Sequence, residues 1–152
     1  MKQCEKAMYY LAFSVVKNAS DVEEVISESI YRAFYNLHSL KTEGSFKPWI
    51  LRIVHNTAVE MIRKNAKTVD FEQIEDISVD SYEKSFTNKF VLREAVDCLK
   101  QPYRTVVVLF YYENLSVKEI AQITDTSIVT VRQQLSRARK MLKEILKEDF
   151  LE

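Results

Sequence analysis

Glycine and proline are scarce in this chain. Only one glycine, Gly44, and two prolines, Pro48 and Pro102, occur among its 152 residues. Folds built from many short strands need these residues at their turns, so such folds are disfavoured. A Gly-rich phosphate loop is excluded for the same reason. Because 47% of the residues are hydrophobic, the chain can still bury a core, and long helices are the natural prediction.

Cysteine and histidine are also few, and their spacing indicates neither a metal site nor a catalytic site. Cys4 and Cys98 lie far apart without a CxxC pair, which favours free thiols over a zinc site or a disulfide. His38 and His55 match no nucleophile or metal-ligand pattern. The sequence therefore predicts no catalytic residue, no metal and no cofactor, and the protein is not expected to be an enzyme.

Long apolar runs are missing as well. No run approaches the ~20 residues that span a bilayer, and the N-terminus does not follow the pattern of a signal peptide. We therefore expect a cytoplasmic protein without membrane insertion.

Charge is balanced overall but unevenly distributed. The chain has 22 basic and 22 acidic residues. Residues 1–68 carry 10 Lys and Arg against 7 Asp and Glu, residues 69–88 carry 1 against 6, and residues 89–152 carry 11 against 9. The acidic segment 69–88 lacks sustained helical periodicity. We interpret it as a linker between two mildly basic domains, 1–68 and 89–152. Because both domains are predicted to be helical, the expected fold class is all-α.

Three apolar helices are predicted in the first domain. Residues 8–16 form the first, and Ser20 or Asp21 can cap the second. The inward side of the second helix is predicted to carry Val22, Val25, Ile26, Ile30, Ala33, Phe34 and Leu37. A third helix follows Ser45, a plausible N-cap, and ends at basic residues 63–64.

The second domain contains the most informative pattern. Ser116 and Glu119 predict a capping box at the start of one helix, and Ser127 offers the N-cap of the next. A break of about four residues separates them, which is the spacing of a helix-turn-helix. The β-branched run 106–112 could be a strand, but no partner strand is evident and a helix is favoured.

Apolar residues recur at three- and four-residue intervals in the second of these helices, and they define its buried side. They are Ile128, Val131, Leu135, Ala138 and Leu142. The opposite side and its flanks then present Val129, Thr130, Arg132, Gln133, Ser136, Arg137, Arg139 and Lys140. Gln and Arg can read base edges in the major groove, and flanking cations can neutralise phosphates. DNA binding is favoured over the alternative of a basic helix that is merely solvated.

The residues of both domains resemble a known family, the extracytoplasmic-function sigma factors. Region four of that family is matched by Leu99, Tyr103-Arg104, Val106, Leu109, Leu115-Ser116, Glu119-Ile120-Ala121, Thr130-Val131 and Leu135-Ser-Arg-Ala-Arg139. Region two is matched by 21–28 with 32–34, and by 44–56. Departures are Ser27 and Phe34, where Gln and Trp are usual, and Asn114 and Val129, where Gly is often found. The N-terminus is also shorter than is usual.

The resemblance implies an alternative sigma factor that binds core RNA polymerase and directs transcription initiation at promoters, in a stress or envelope response. Polymerase would be bound through Glu24, Ser27, Glu28 and Arg32. The minus-ten element of promoter DNA would be bound through Lys47, Arg52, Asn56 and Arg63. The second domain would bind the minus-thirty-five element and sit on the flap of a large polymerase subunit, and an anti-sigma factor is expected by family habit.

Two other classes of function compete with this interpretation. A helix-turn-helix repressor or activator would bind DNA without docking on polymerase in this way, and the region-two resemblance argues against it. A helical adaptor without DNA binding would leave the outward residues Gln133, Arg137 and Lys140 unexplained.

Overall fold

The protein is all-helical in the part that the structure, a computed structural model, describes, namely residues 2–68 and 88–151. We call these two ranges the first half and the second half. The first half contains α1 (Glu5–Val16), α2 (Ala19–Tyr35) and α3 (Phe46–Thr68), with short 3-10 turns at Leu37–Ser39 and Glu43–Ser45. The second half contains α4 (Asn88–Asp97), α5 (Tyr103–Val107), α6 (Val117–Thr124) and α7 (Ile128–Leu151). The predicted linker 69–88 lies outside the described residues except for Asn88, which begins α4.

The start of α2 corrects one prediction. The side chain of Asn18, rather than Ser20 or Asp21, caps the helix, because its Oδ1 accepts from the backbone N–H of Ser20 at 2.9 Å and of Asp21 at 3.3 Å. Ser20 and Asp21 therefore lie in the first turn, where the carboxylate of Asp21 is favourable near the positive end of the helix dipole.

The apolar side of α2 is narrower than predicted. Val22, Val25, Ser29 and Ala33 are buried, whereas Ile30, Phe34 and Leu37 are 40%, 75% and 56% exposed. At about 100° per residue, Ile30 and Phe34 lie roughly 80–120° around the helix from Val22. Because α2 packs mainly against α1 and α3, residues at that angle extend past the edge of the contact. Leu37 lies beyond the end of α2, in the 3-10 turn Leu37–Ser39, none of whose residues is buried. The prediction that these three residues face inward was wrong.

The β-branched run 106–112 is helical, as its context predicts. It completes α5 and continues as a π-helical turn, Val108–Tyr112. Val106, Val107, Val108 and Leu109 are all buried, so the β-branched residues of this run pack in the core of the helical protein. The chain then leaves the turn through Asn114 at φ 54°, a left-handed conformation that Asn tolerates well.

The two halves share one hydrophobic core. The largest cluster of buried side chains joins Leu11, Val22 and Ile50 of the first half to Leu109, Ile120, Ile123 and Leu135 of the second. The packing runs through α3 against α6 and through α1 against α5. A smaller cluster under α4 and α7 belongs to the second half alone. Within the described ranges, no helix is long and apolar enough to cross a membrane.

Candidate nucleic-acid and polymerase interfaces

The helix-turn-helix predicted from the sequence is present. Ser116 and Glu119 form the capping box reciprocally, with the Ser116 N–H donating to Glu119 Oε2 at 2.9 Å and the Glu119 N–H to Ser116 Oγ at 3.1 Å. Asp125 ends α6 at φ 55°. Ser127 then accepts from the Thr130 N–H at 3.1 Å, which caps α7 as predicted. These local bonds fix the angle at which α7 leaves the turn.

The inward side of α7 is largely as predicted. Val131, Leu135 and Ala138 are buried, and Leu142 is half-buried at the far end of the row. Ile128 is 39% exposed, because it is the first residue of the helix and stands at the margin of the packed region. The helix is therefore held by its middle, and its outward side is free of packing.

The outward side of α7 presents exposed residues that can read DNA. Val129 is 61% exposed, and the exposed side also carries Arg132, Gln133, Ser136, Arg137 and Lys140. Thr130 is half-buried, and its hydroxyl lies 2.8 Å from Ser127 Oγ, within the cap. The arrangement places amide, guanidinium and methyl groups along one helix, which suits the width of a major groove.

Arg139 lies apart from that row. Its Nε donates to the hydroxyl of Tyr111 at 2.6 Å, and its guanidinium carbon lies 5.8 Å from the centroids of the Phe110 and Tyr111 rings. The side chain is thus directed toward the π-helical turn. Among the described residues that are predicted to bind the upstream element, Arg139 is the one whose side chain bonds to a different helical segment.

An apolar groove beside Arg139 is a feature that sequence reasoning missed. It has a volume of about 1060 Å³, and most of its lining residues are apolar or aromatic: Leu92, Val96, Val107, Tyr111, Tyr112, Leu142 and Leu146. Three cations, Arg139, Lys143 and Lys147, complete its lining. Three segments that are distant in sequence, α4, the end of α5 with its π-helical turn, and α7, come together to make it. The adjacent tyrosines 111 and 112, which the structure shows to be exposed, were the one feature of the sequence that could have indicated this groove.

The four residues predicted to bind polymerase lie together on the first half. Glu24, Ser27, Glu28 and Arg32 line a shallow groove of about 590 Å³ between α2 and α3. Arg32 Nε donates to Glu28 Oε1 at 2.9 Å, and Arg32 Nη2 donates to Glu60 Oε2 at 2.8 Å.

Glu60, on α3, is a member of this groove that the sequence did not reveal. Its hydrogen bond to Arg32 holds the pKa of the Glu60 carboxyl below its usual value, and the same bond raises the pKa of Arg32. Both groups therefore stay charged over the whole neutral range. The groove presents fixed charges of both signs, which is the kind of surface that sets the register of a partner.

The residues predicted to bind the minus-ten element all lie on α3, but they face different surroundings. Lys47 Nζ lies 3.5 Å from Glu113 Oε2, and it donates to the main-chain oxygen of Glu113 at 3.3 Å. Arg52 Nη2 lies 3.8 Å from Asp125 Oδ1. Asn56 is exposed.

Arg63, the fourth of these residues, lines a cavity of about 340 Å³ between the two halves. His55 and Gln134 also line this cavity, and His55 Nδ1 and Gln134 Oε1 are buried there without a hydrogen-bond partner. Burial lowers the pKa of His55, so its imidazole is neutral at pH 7. No cluster that could hold a metal ion occurs in the described part of the chain.

These surfaces define an all-helical protein with a capped helix-turn-helix, typical of DNA-binding proteins, in one half and a groove lined by charged residues in the other. Comparison with known proteins narrows the class. The chain matches sigma-70 region 2 over residues 1–68 and sigma-70 region 4 over residues 89–142. It therefore belongs to the sigma-70 family, in the extracytoplasmic-function group.

Individual relatives agree with this assignment. The chain is similar to the RNA polymerase sigma factor SigV of Bacillus subtilis, with 35% identity covering 93% of this chain and 86% of that protein. It is also similar to the ECF RNA polymerase sigma factor SigW of the same organism, with 28% identity covering 93% and 83%. Among solved structures, the sigma factor RpoE of Bartonella quintana, in complex with the anti-sigma factor NepR, has the same fold. Its TM-score is 0.77 at 22% identity, covering 93% of this chain and 91% of that one.

Proposed function

We propose that this chain is an alternative sigma factor that binds core RNA polymerase and directs promoter recognition and transcription initiation in a stress or envelope response. The observation that carries the proposal is the presence of two unlike surfaces on one chain. A capped recognition helix exposes Gln133 and Arg137, while a groove on α2 and α3 holds charges of both signs around Arg32. An independent repressor needs the first surface and has no use for the second.

The outward side of α7 is assigned to the minus-thirty-five element. Gln133 and Arg137 are one turn apart and exposed, so both can form bidentate hydrogen bonds with base edges. Arg132 and Lys140 flank them and supply positive charge for phosphates. Val129 and Thr130 at the start of the helix can meet thymine methyl groups.

The minus-ten element is assigned to α3, through Lys47, Arg52, Asn56 and Arg63. These residues combine three cations with one amide, which suits a DNA strand whose phosphates must be neutralised while its bases are exposed. Trp49 donates its Nε1–H to Ser39 Oγ at 2.9 Å and packs against Phe46, so a structural role accounts for its position.

Two surfaces are assigned to polymerase. The groove lined by Glu24, Ser27, Glu28 and Arg32 is assigned to the clamp helices of one large subunit. The apolar groove of the second half is assigned to the flap of the other large subunit, because a mostly apolar lining with three cations fits an amphipathic helix that carries acidic residues. An anti-sigma factor competing for these surfaces is the expected regulator, and work on core polymerase implies a cytoplasmic location. The polymerase, rather than this chain, would carry out the chemistry.

Reconstitution tests the proposal. The purified chain is added to core polymerase from the source organism, and the mixture is offered a pool of genomic promoter fragments. We expect selective initiation at a subset that shares two sequence elements. Specific DNA binding without any initiation would favour the repressor class, and the absence of both would favour a helical adaptor.

A further inference from the structure

Arg32 joins the two helices that line the charged groove of the first half. Its Nε donates to Glu28 Oε1 at 2.9 Å, one turn back on α2, and its Nη2 donates to Glu60 Oε2 at 2.8 Å on α3. A guanidinium is a planar fork whose N–H groups point in fixed directions. The two carboxylates therefore set the orientation of Arg32, and the bond to Glu60 ties α2 to α3 at the protein surface.

Small buried residues allow these helices to lie close enough for the bond. Helix α2 packs on α3, and Ser29 and Thr57 on their buried sides are 0% and 4% exposed. The separation of packed helices depends on the side chains at their contact, so small residues permit a close approach. Arg32 and Glu60 each follow one of these residues by three positions, which places them on the same side of their helices. Their longer side chains then reach each other across the groove.

The bridge leaves the groove acidic. Among the described residues that line it, four are acidic and two are basic, namely Asp21, Glu24, Glu28 and Glu60 against Arg32 and Lys64. The positive charge of Arg32 is shared between two carboxylates, and its side chain is only 32% exposed. Glu24 is exposed on the same side of α2. The groove therefore suits a partner surface that carries basic residues.

We propose that Glu60 is a positioning residue of the polymerase surface, which binds Arg32 and so holds α2 and α3 with the carboxylates of Glu24 and Glu28 in place for a basic partner. Arg32 is then a bridge within the groove, and the acidic residues make the contacts to polymerase. A surface that is already ordered in the free protein loses less conformational freedom on binding. This inference rests on the assignment of the groove to polymerase in the proposed function.

Three possible roles of Glu60 give different effects on core binding when the residue is removed. If Arg32 contacted polymerase directly, loss of Glu60 would release the guanidinium and leave core affinity unchanged or higher. If Glu60 itself contacted polymerase, its loss would weaken binding whether or not Arg32 were present. A positioning role predicts weaker binding that depends on Arg32.

The first measurement is equilibrium binding of the full chain to core polymerase from the source organism, without DNA. Glu60→Ala should weaken binding by about two- to fivefold, the range expected for a partly exposed ion pair. The matched control is Glu23→Ala, an exposed carboxylate of α2 that does not line the groove. Both variants lose one negative charge, so a general electrostatic effect appears in both. Equal affinity of Glu60→Ala and the control would overturn the inference.

The second measurement is the coupling between the two bridging residues. Arg32→Met keeps much of the apolar length of the side chain and removes both of its hydrogen bonds. If the residues act through one bond, Arg32→Met with Glu60→Ala should bind core within about twofold of the weaker single variant. Losses that multiply in the double variant would show independent contacts with polymerase and would contradict a positioning role.

The third measurement exchanges the charges. Arg32→Glu with Glu60→Arg preserves the net charge of the groove and allows an ion pair across the helices in the opposite direction. We expect each single substitution to weaken core binding and the exchanged chain to return to within about twofold of the wild type. Circular dichroism and urea unfolding accompany each variant. An exchanged chain that unfolds like the wild type but binds core as poorly as Glu60→Ala would show that the residues act at polymerase directly.

Failure of the proposed function is separable from failure of this inference. A wild-type chain that does not bind core polymerase would contradict the proposed function itself. A wild-type chain that binds core and initiates transcription, together with a Glu60→Ala variant indistinguishable from Glu23→Ala, would overturn the positioning role alone.

Discussion

At the scale of single residues, the chemistry of this protein depends on which side chains are exposed and which are paired. Gln133 and Arg137 are exposed on α7 and have no side-chain partner among the described residues, so they are available to DNA. Arg139, two residues further on, is bonded to Tyr111. Arg137 is therefore available to bind DNA, whereas the nearby Arg139 is already bonded within the protein.

Replacing Gln133 or Arg137 with alanine should change the preferred upstream element. A bidentate contact to a base is worth about 1–3 kcal/mol, so each variant should lose about that much at the preferred site. Arg132→Ala should instead weaken binding to all sequences alike and reduce the salt dependence. The measurement is selection from a randomised DNA library with holoenzyme. Identical preferred sequences for the wild type and both variants would remove Gln133 and Arg137 from the reading set.

For Arg139→Ala, we expect an effect on polymerase binding in addition to the effect on DNA binding that the sequence predicts. As a flanking cation it is predicted to bind phosphate, yet the structure places its guanidinium against Phe110 and Tyr111 in the lining of the apolar groove. Its loss should therefore also weaken the holoenzyme, which a polymerase-binding measurement without DNA would detect.

His55 should make stability depend on pH. Its imidazole is buried between the halves, where Arg63 is the charged residue lining the cavity, and burial lowers its pKa below the ordinary 6.5. Since the unfolded chain then takes up the proton first, the contribution is complete above about pH 6.5 and is lost as pH falls toward the pKa in the folded protein. The free energy of unfolding should decrease over that range.

His55→Gln should flatten this dependence, and His38→Gln should not, because His38 is exposed. Denaturant unfolding at several pH values provides the measurement. Parallel curves for the wild type and His55→Gln would show that His55 contributes nothing to the pH dependence.

At the scale of helices, caps and packing partners decide which face of each element is available. The capping box at Ser116 and the Ser127 cap set the two helices of the helix-turn-helix by local bonds. In α2, contact with α1 and α3 buries one narrow side and leaves the Glu24 and Glu28 side exposed. The helix faces that packing leaves free are the ones proposed to bind DNA and polymerase.

Charge reversal on α2 tests the polymerase surface. Glu24→Lys with Glu28→Lys should abolish core binding and transcription, because complementary charge governs both encounter and register at an interface. Folding should survive, since both residues are exposed, Arg32 keeps its bond to Glu60, and surface changes usually stay within about 0.5 kcal/mol.

The control for this experiment is Glu23→Lys, which is exposed but turned about 100° away from Glu24. Core-polymerase pull-down and run-off transcription are measured beside circular dichroism. A double variant that stays helical, binds core and initiates normally would contradict the assignment of this face.

At the scale of the whole molecule, the shared core couples the stability of the two halves. Ile123 is fully buried in α6, which packs on α3, so Ile123→Ala should lower the free energy of unfolding by about 2–5 kcal/mol. Amide protection should fall in α3 as well as in α6. Ile145→Ala lies against the smaller cluster of the second half and is the control. Hydrogen exchange resolved by helix makes the comparison, and unchanged protection of α3 in Ile123→Ala would show that the halves are stabilised independently.

The sequence determined the features that depend on neighbours within a few residues. The all-helical class follows from apolar periodicity and the scarcity of glycine, the capping box from the spacing of Ser116 and Glu119, and the left-handed exit from Asn114. Local hydrogen bonds and the 3.6-residue period act over one or two turns, so a single chain segment specifies them. The grouping of Glu24, Ser27, Glu28 and Arg32 on one face followed from the same period.

The tertiary structure alone decided which helix faces were covered and which distant residues met. Periodicity could not show that α2 packs through a narrow stripe or that it ends at Tyr35, so Ile30 and Phe34 on the helix and Leu37 beyond its end were wrongly placed inside. The apolar groove, the Arg32–Glu60 bond and the pairing of Lys47 with Glu113 all join segments far apart in sequence. Such contacts depend on how whole helices pack, because a face that would suit solvent, DNA or another helix has the same local pattern until a partner covers it.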